Sequence, residues 1–166
     1  MPTFNNPGNL KIGQGFAGET GKTYGNNFAV FDSPEMGLRA LIRDLRTKVD
    51  RHGGDVGRLM AEYAPRTENP ASYATFIRSQ VGDTVDTPEK FDQLVRGIIR
   101  FENKPKTASK YLNDSVFNTA MELSRIDMPS GTGRSDVQNY RATPRPRPDF
   151  TIEDLISSIN DNIGIK

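Results

Sequence analysis

Apolar residues recur at helical spacing along most of the first 124 positions of the chain. Leu38 is followed by apolar residues three, four and seven positions later, which places all four on one face of a helix. Similar stripes predict five helices, over residues 34–51, 55–64, 70–81, 88–103 and 114–124. Because an apolar stripe has to be buried against a neighbouring element, we expect these helices to form one domain over residues 1–124.

The same start signal precedes three of these helices. Ser-Pro-Glu at 33–35 combines an N-cap residue, a proline at the first helical position and an acid in the first turn. Asn-Pro at 69–70 and Thr-Pro-Glu at 87–89 repeat the arrangement. These signals fix the predicted starts more firmly than the apolar pattern alone.

Residues 1–32 lack helical spacing and are rich in glycine and asparagine. Phe28 and Val30 alternate along a short segment, which predicts a half-buried strand at 28–31 paired with residues 9–12 in a β-hairpin. The glycines at 13, 15 and 18 spell GxGxxG, but a dinucleotide site needs a buried strand before that motif and a helix after it. We therefore interpret this segment as a flexible glycine loop.

The pattern changes again after residue 124. Residues 125–148 include Pro-Arg-Pro-Arg-Pro at 144–148, which is typical of an extended linker. Residues 149–166 form a tail whose apolar positions predict an amphipathic helix: Ile152, Leu155, Ile156, Ile159 and Ile163. Since a helix of this length is marginal alone in water, we expect it to dock on another protein or on a second copy of the chain.

The composition excludes several classes of function. A net charge of +1 gives no reason to expect a nucleic-acid partner. No apolar run reaches the roughly 18 residues that a membrane-spanning helix needs. The chain has no cysteine and one histidine, His52, which argues against thiol chemistry and a zinc site. We expect neither a metal nor a cofactor.

Two glutamates are candidates for acid chemistry. Glu102 follows Ile98 by four positions and Val95 by seven, so it shares their apolar helix face. A carboxyl that loses hydration favours its protonated form, which can donate a proton to a glycosidic oxygen. Glu19 lies in the glycine-rich segment, where a loop could present it to a cleft. The alternative for Glu102 is a helix-end side chain that points into water. The alternative for Glu19 is a loop side chain exposed to water.

Five sequence blocks, taken in order, resemble a family of small bacteriophage virion proteins with a lysozyme-like, lytic transglycosylase-like domain. The resemblance covers about residues 4–104, and Phe16 and Tyr63 stand where that family has tryptophan. The blocks are NPGNL at 6–10, GFAGETG at 15–21, FAVFDSPEMGLRAL at 28–41, YAPRTEN at 63–69 with Tyr73 after it, and IIRFEN at 98–103.

The resemblance implies a mainly α, lysozyme-like fold with a short N-terminal β-hairpin and a sugar-binding cleft. It implies a protein of the virion, in the tail or internal, that degrades peptidoglycan in the host cell envelope during genome entry. The glycan strands would be its substrate, and residues 149–166 would bind other virion proteins. The alternative is a non-catalytic structural virion protein that retains the lysozyme-like shape.

This resemblance also suggests roles for the candidate residues. Glu102 would protonate the glycosidic oxygen, and Glu19 would be the second acid if the enzyme is a hydrolase (muramidase). Asn6, Asn9 and Tyr73 are the candidates for binding the acetamido groups of the substrate.

Overall fold

The computed structural model describes residues 4–25, 27–64 and 70–128. These residues form a two-stranded antiparallel sheet and six helices, which confirms the mainly α class with a short N-terminal hairpin. The elements are β1 (Glu19–Tyr24), β2 (Phe28–Phe31), α1 (Pro34–Arg51), α2 (Val56–Tyr63), α3 (Pro70–Val81), α4 (Pro88–Glu102), α5 (Pro105–Leu112) and α6 (Asp114–Leu123). None of the described helices is long and apolar enough to cross a membrane. The predicted tail helix and nearly all of the predicted linker lie outside the described residues.

Two of the three predicted start signals act as helix caps, and Asn69 of the third lies outside the described residues. The Ser33 hydroxyl accepts a hydrogen bond from the Met36 N–H at 3.2 Å, and the Thr87 hydroxyl accepts one from Lys90 N–H at 3.1 Å. The side chain of Asp55 caps α2 in the same way. A cap of this kind contributes about 1 kcal/mol. The predicted starts of α1 at Pro34 and of α4 at Pro88 are confirmed.

One apolar core joins the helices, and α1 contributes its longest stripe. Side chains of α1, α2, α3, α4 and α6 meet there with essentially no exposure to solvent. A second, smaller cluster lies under the hairpin. The core residues with no exposed surface include Leu38, Leu41, Ile42, Leu45, Val56, Leu59, Ile77, Leu94, Val95, Ile98 and Ile99.

The hairpin differs from the prediction in its first strand. β2 pairs antiparallel with β1, and Tyr24 lies opposite Phe28. The predicted partner segment, residues 9–12, lies along the other edge of β2, where Lys11 forms a single bridge with Phe28. β1 escaped prediction because its four middle residues are all exposed, so the strand has no alternation of apolar and polar positions.

Helix α5 has no counterpart among the sequence-based predictions. It is eight residues long, and only Ala108 and Tyr111 are buried. Lys104, at its N-cap, makes no side-chain cap. Two buried positions and an uncapped start give too weak a pattern to separate this helix from a loop.

Arginines of α1 hold the C-terminal end of α6. Arg39 donates from Nε to the carbonyl of Leu123 at 2.9 Å and from Nη2 to the carbonyl of Ile126 at 2.6 Å. Arg43 donates to the carbonyl of Ser124 at 3.1 Å. Carbonyls at a helix end lack partners within the helix and attract cations. These contacts extend the packed structure past the predicted domain end at residue 124.

We expect Arg39→Met to lower the free energy of unfolding by about 3 kcal/mol, because it leaves two carbonyls without their charged donor. Arg39 is only 2% exposed, and burial lowers its pKa to about 10, so it is still charged at neutral pH. Urea denaturation measures the loss. Arg58→Met, at an exposed position of α2, is the control and should change stability by less than about 0.5 kcal/mol. Equal losses in the two variants would contradict the proposed role of Arg39.

Candidate active site

Glu102 is the last residue of α4, where the helix end meets the N-terminal loop. Its side chain is half-buried, although its place on the stripe of Val95 and Ile98 suggested fuller burial. The difference arises because the chain leaves the helix at Asn103, whose backbone is extended, so the last turn is covered on one side only. The carboxyl therefore combines a packed side with access from solvent.

A hydrogen-bond chain fixes the position of this carboxyl. Asn9 donates from Nδ2 to Oε2 of Glu102 at 2.8 Å, and the Tyr24 hydroxyl donates to Oδ1 of Asn9 at 2.8 Å. Asn9 has a φ of +51°, in the left-handed region that asparagine adopts more readily than most residues. Because the amide donates to Oε2, it fixes the orientation of the carboxyl group.

Three tyrosines surround the Glu102 carboxyl. Burial is the main cause of the raised pKa of Tyr24, Tyr63 and Tyr73, and the Glu102 carboxylate raises the pKa of each further. The Tyr63 hydroxyl donates to the carbonyl of Gly8 at 2.7 Å. All three phenols therefore stay neutral near pH 7.

Tyr73 borders the carboxyl but is 1% exposed. Its hydroxyl is fully buried and does not reach normal hydrogen-bond geometry with any described residue. Its ring stacks on Phe101 with centroids 3.8 Å apart. Tyr73 therefore supports the site from the buried side. Its predicted contact with an acetamido group would require the hydroxyl to become exposed.

Asn6, the second residue predicted to bind sugar, is buried and hydrogen-bonds to the backbone of the protein. It is 4% exposed, and its Nδ2 donates to the carbonyls of Leu10 and Ala29, both at 2.9 Å. Its Oδ1 accepts from the N–H of Leu10 at 2.9 Å. These bonds tie the N-terminal loop to β2, so Asn6 shapes the loop that presents Asn9 and does not itself face the carboxyl.

Glu19 is engaged within the glycine loop. Its two carboxylate oxygens accept hydrogen bonds from the N–H of Gly13 at 3.1 Å and of Phe16 at 3.0 Å. Positive φ angles at Gly13 and Gly15 let the loop fold around the carboxylate. Within residues 4–25, 27–64 and 70–128, no hydrogen bond or ion pair joins Glu19 to Glu102. The structure therefore does not bring the two predicted acids into contact.

Two aromatic residues at the site were absent from the sequence-based predictions. Tyr24 ends β1, a strand that the pattern does not reveal, so nothing in the sequence pointed to its contact with Asn9. Phe101 follows Leu94 by seven positions and Ile98 by three, but it lies in the last turn of α4 and is 41% exposed. Its position directly before a candidate acid was the one available signal.

A groove of about 560 Å³ lies beside the same helix end but does not include Glu102. The residues that line it are Arg100, Asn103, Pro105, Ala108, Ser109, Leu112 and Asn113. Arg100 and Glu102 are two positions apart and so point to nearly opposite sides of α4. The groove is therefore separate from the candidate site. No group of three or more histidines, aspartates or glutamates among the described residues could hold a metal ion.

No protein-family model matches the chain, and no curated protein matches it. The lysozyme-like resemblance therefore stays a prediction. Its first and last blocks, at 6–10 and 98–103, contain the two residues that the structure joins through the Asn9–Glu102 hydrogen bond.

Proposed function

We propose that this protein degrades peptidoglycan as a virion-associated, lysozyme-like enzyme of a bacteriophage, with Glu102 as its catalytic acid. The observation that carries the proposal is the Asn9–Glu102 hydrogen bond of 2.8 Å, which fixes the position of a half-buried carboxyl. A general acid needs this combination of restricted position and access to substrate.

The reaction begins with transfer of the carboxyl proton of Glu102 to the oxygen between two amino sugars. The C1–oxygen bond breaks, and the positive charge is shared by C1 and the ring oxygen. In a lytic transglycosylase the sugar's own 6-hydroxyl then attacks C1, and its proton returns to the Glu102 carboxylate. The ring closes as an anhydro sugar, and the acid is restored without water.

The contacts of Glu19 favour this one-acid course over hydrolysis. A glycoside hydrolase uses a second carboxylate, about 5 to 9.5 Å from the first depending on the mechanism. Both carboxylate oxygens of Glu19 accept hydrogen bonds from loop N–H groups, which makes this carboxylate a weaker base for activating water. A transglycosylase needs only the acid that Asn9 already positions.

Product analysis tests the proposal. Purified protein incubated with insoluble peptidoglycan should release fragments whose ends are anhydro sugars, each one water lighter than a hydrolysis product in mass spectrometry. Glu19→Gln should release the same fragments. Reducing ends that disappear in Glu19→Gln would instead make Glu19 the second acid of a hydrolase.

A non-catalytic structural virion protein is the second candidate. It is favoured by Asn6 and Gly37, which both belong to the sequence blocks that resemble the virion family. Asn6 hydrogen-bonds to backbone carbonyls of the fold, and Gly37 lies against the backbone of Asn5. Under this alternative no fragment is released at any pH, while the protein stays folded and soluble.

A further inference from the structure

Phe101 presents an aromatic ring to solvent directly beside the candidate acid. Phe101 is 41% exposed, and the other exposed large apolar residues in the described part of the chain are Ile126 at 40% and Phe4 at 36%. Phe101 lies in the last turn of α4, where the chain leaves the helix at Asn103, so its ring is covered on one side only.

The back of the Phe101 ring is held in place. Tyr73 stacks on it with centroids 3.8 Å apart and planes 25° from parallel, and Phe76 lies 5.5 Å away in a tilted contact. Tyr73 is itself 1% exposed, so it is a fixed support. These two contacts hold the ring in place while 41% of the residue stays exposed to solvent.

Tyr73 links the Phe101 ring to the candidate acid. Its ring stacks on Phe101, and its hydroxyl lies close enough to Glu102 for that side chain to raise the pKa of Tyr73, after the larger effect of burial. The Phe101 ring and the Glu102 carboxyl are therefore both neighbours of one fixed tyrosine.

We propose that Phe101 is a substrate-binding residue on which one pyranose ring of the glycan strand stacks, next to the bond that Glu102 attacks. This inference rests on the proposed function and names a subsite for it. One face of a pyranose carries axial C–H groups, which pack on an aromatic face while the hydroxyls stay in water. A single ring beside a charged carboxyl suits one sugar and is too small for a protein interface.

Tryptophan substitution gives a direct readout, because the chain contains no tryptophan. Phe101→Trp keeps a stacking ring and places the only indole at the subsite. Titration with a tetramer of N-acetylglucosamine should change its emission in a saturable way. Ile126→Trp is the matched control, since Ile126 is 40% exposed and lies at the end of α6, and its emission should stay constant. Equal responses from the two variants would overturn the proposal.

Sedimentation with insoluble peptidoglycan separates this inference from the proposed function. In the Glu102→Gln background, Phe101→Ala should bind about tenfold more weakly than its parent, and Phe101→Trp should bind as the parent does. Binding unchanged by Phe101→Ala would overturn the role of Phe101 and leave the enzyme proposal intact. If the parent variant does not bind and the wild type does not cleave, both proposals fail together.

Discussion

Glu102→Gln is expected to lower the rate of peptidoglycan cleavage by about 10³-fold, within the range that general acid catalysis contributes. The amide has nearly the shape of the carboxyl and still accepts a hydrogen bond from Asn9, whose amide lies 2.8 Å away. It has no acidic proton to transfer, so the variant should lose catalysis and keep its fold. Release of soluble fragments from labelled peptidoglycan measures the rate.

Glu89→Gln provides the control on the same helix. Glu89 is an exposed acid in the first turn of α4, far along the helix from Glu102. Its variant should cleave at the wild-type rate, and both variants should show the helical circular dichroism of the wild type. Cleavage by Glu102→Gln at the normal rate would remove Glu102 from the mechanism, and loss of cleavage in Glu19→Gln alone would assign the acid to Glu19.

Gly37→Ala is expected to destabilise the protein by more than about 4 kcal/mol, because it forces a backbone clash in the core. A Cβ at Gly37 would lie 1.5 Å from the carbonyl oxygen of Asn5. Alanine normally stabilises a helix by up to about 1 kcal/mol relative to glycine, which is too little to offset the clash. Thermal and urea denaturation measure the loss of stability. If the variant does not fold, its soluble yield drops instead.

Gly97→Ala is the matched control, since Gly97 is also a buried glycine within a helix. Its added Cβ would lie 3.2 Å from Cδ1 of Ile77, a terminal methyl that can move by a few tenths of an ångström. Its stability should stay within about 1 kcal/mol of the wild type. Similar stability of Gly37→Ala and Gly97→Ala would show that the loop carrying Asn5 can shift away from α1 at little cost.

Helices with strong caps and wide apolar stripes could be predicted from the sequence. α1 begins at Pro34 and ends at Arg51 as predicted, because Ser33 caps its start and its stripe is buried along most of its length. Signals of this kind are local, so they need no knowledge of the tertiary fold. β1 and α5 bury too few side chains to produce them.

The candidate site could be predicted only in part. The sequence indicated Glu102 and Asn9 as separate candidates, through an apolar stripe and a family resemblance. It could not indicate that they are hydrogen-bonded, because 93 positions separate them and no local pattern encodes such a contact. Asn6 and Asn9 look alike in the sequence, yet one amide is turned into the fold and the other toward the acid.

The contact between Asn9 and Glu102 also bears on the order of folding. Joining these residues closes a loop that contains the hairpin and the helices α1 to α4, and the entropy lost on closure grows with loop length. Contacts of such long range form slowly compared with single helices. We therefore expect refolding chains to regain helical circular dichroism before they regain cleavage, so that cleavage reports the completed fold.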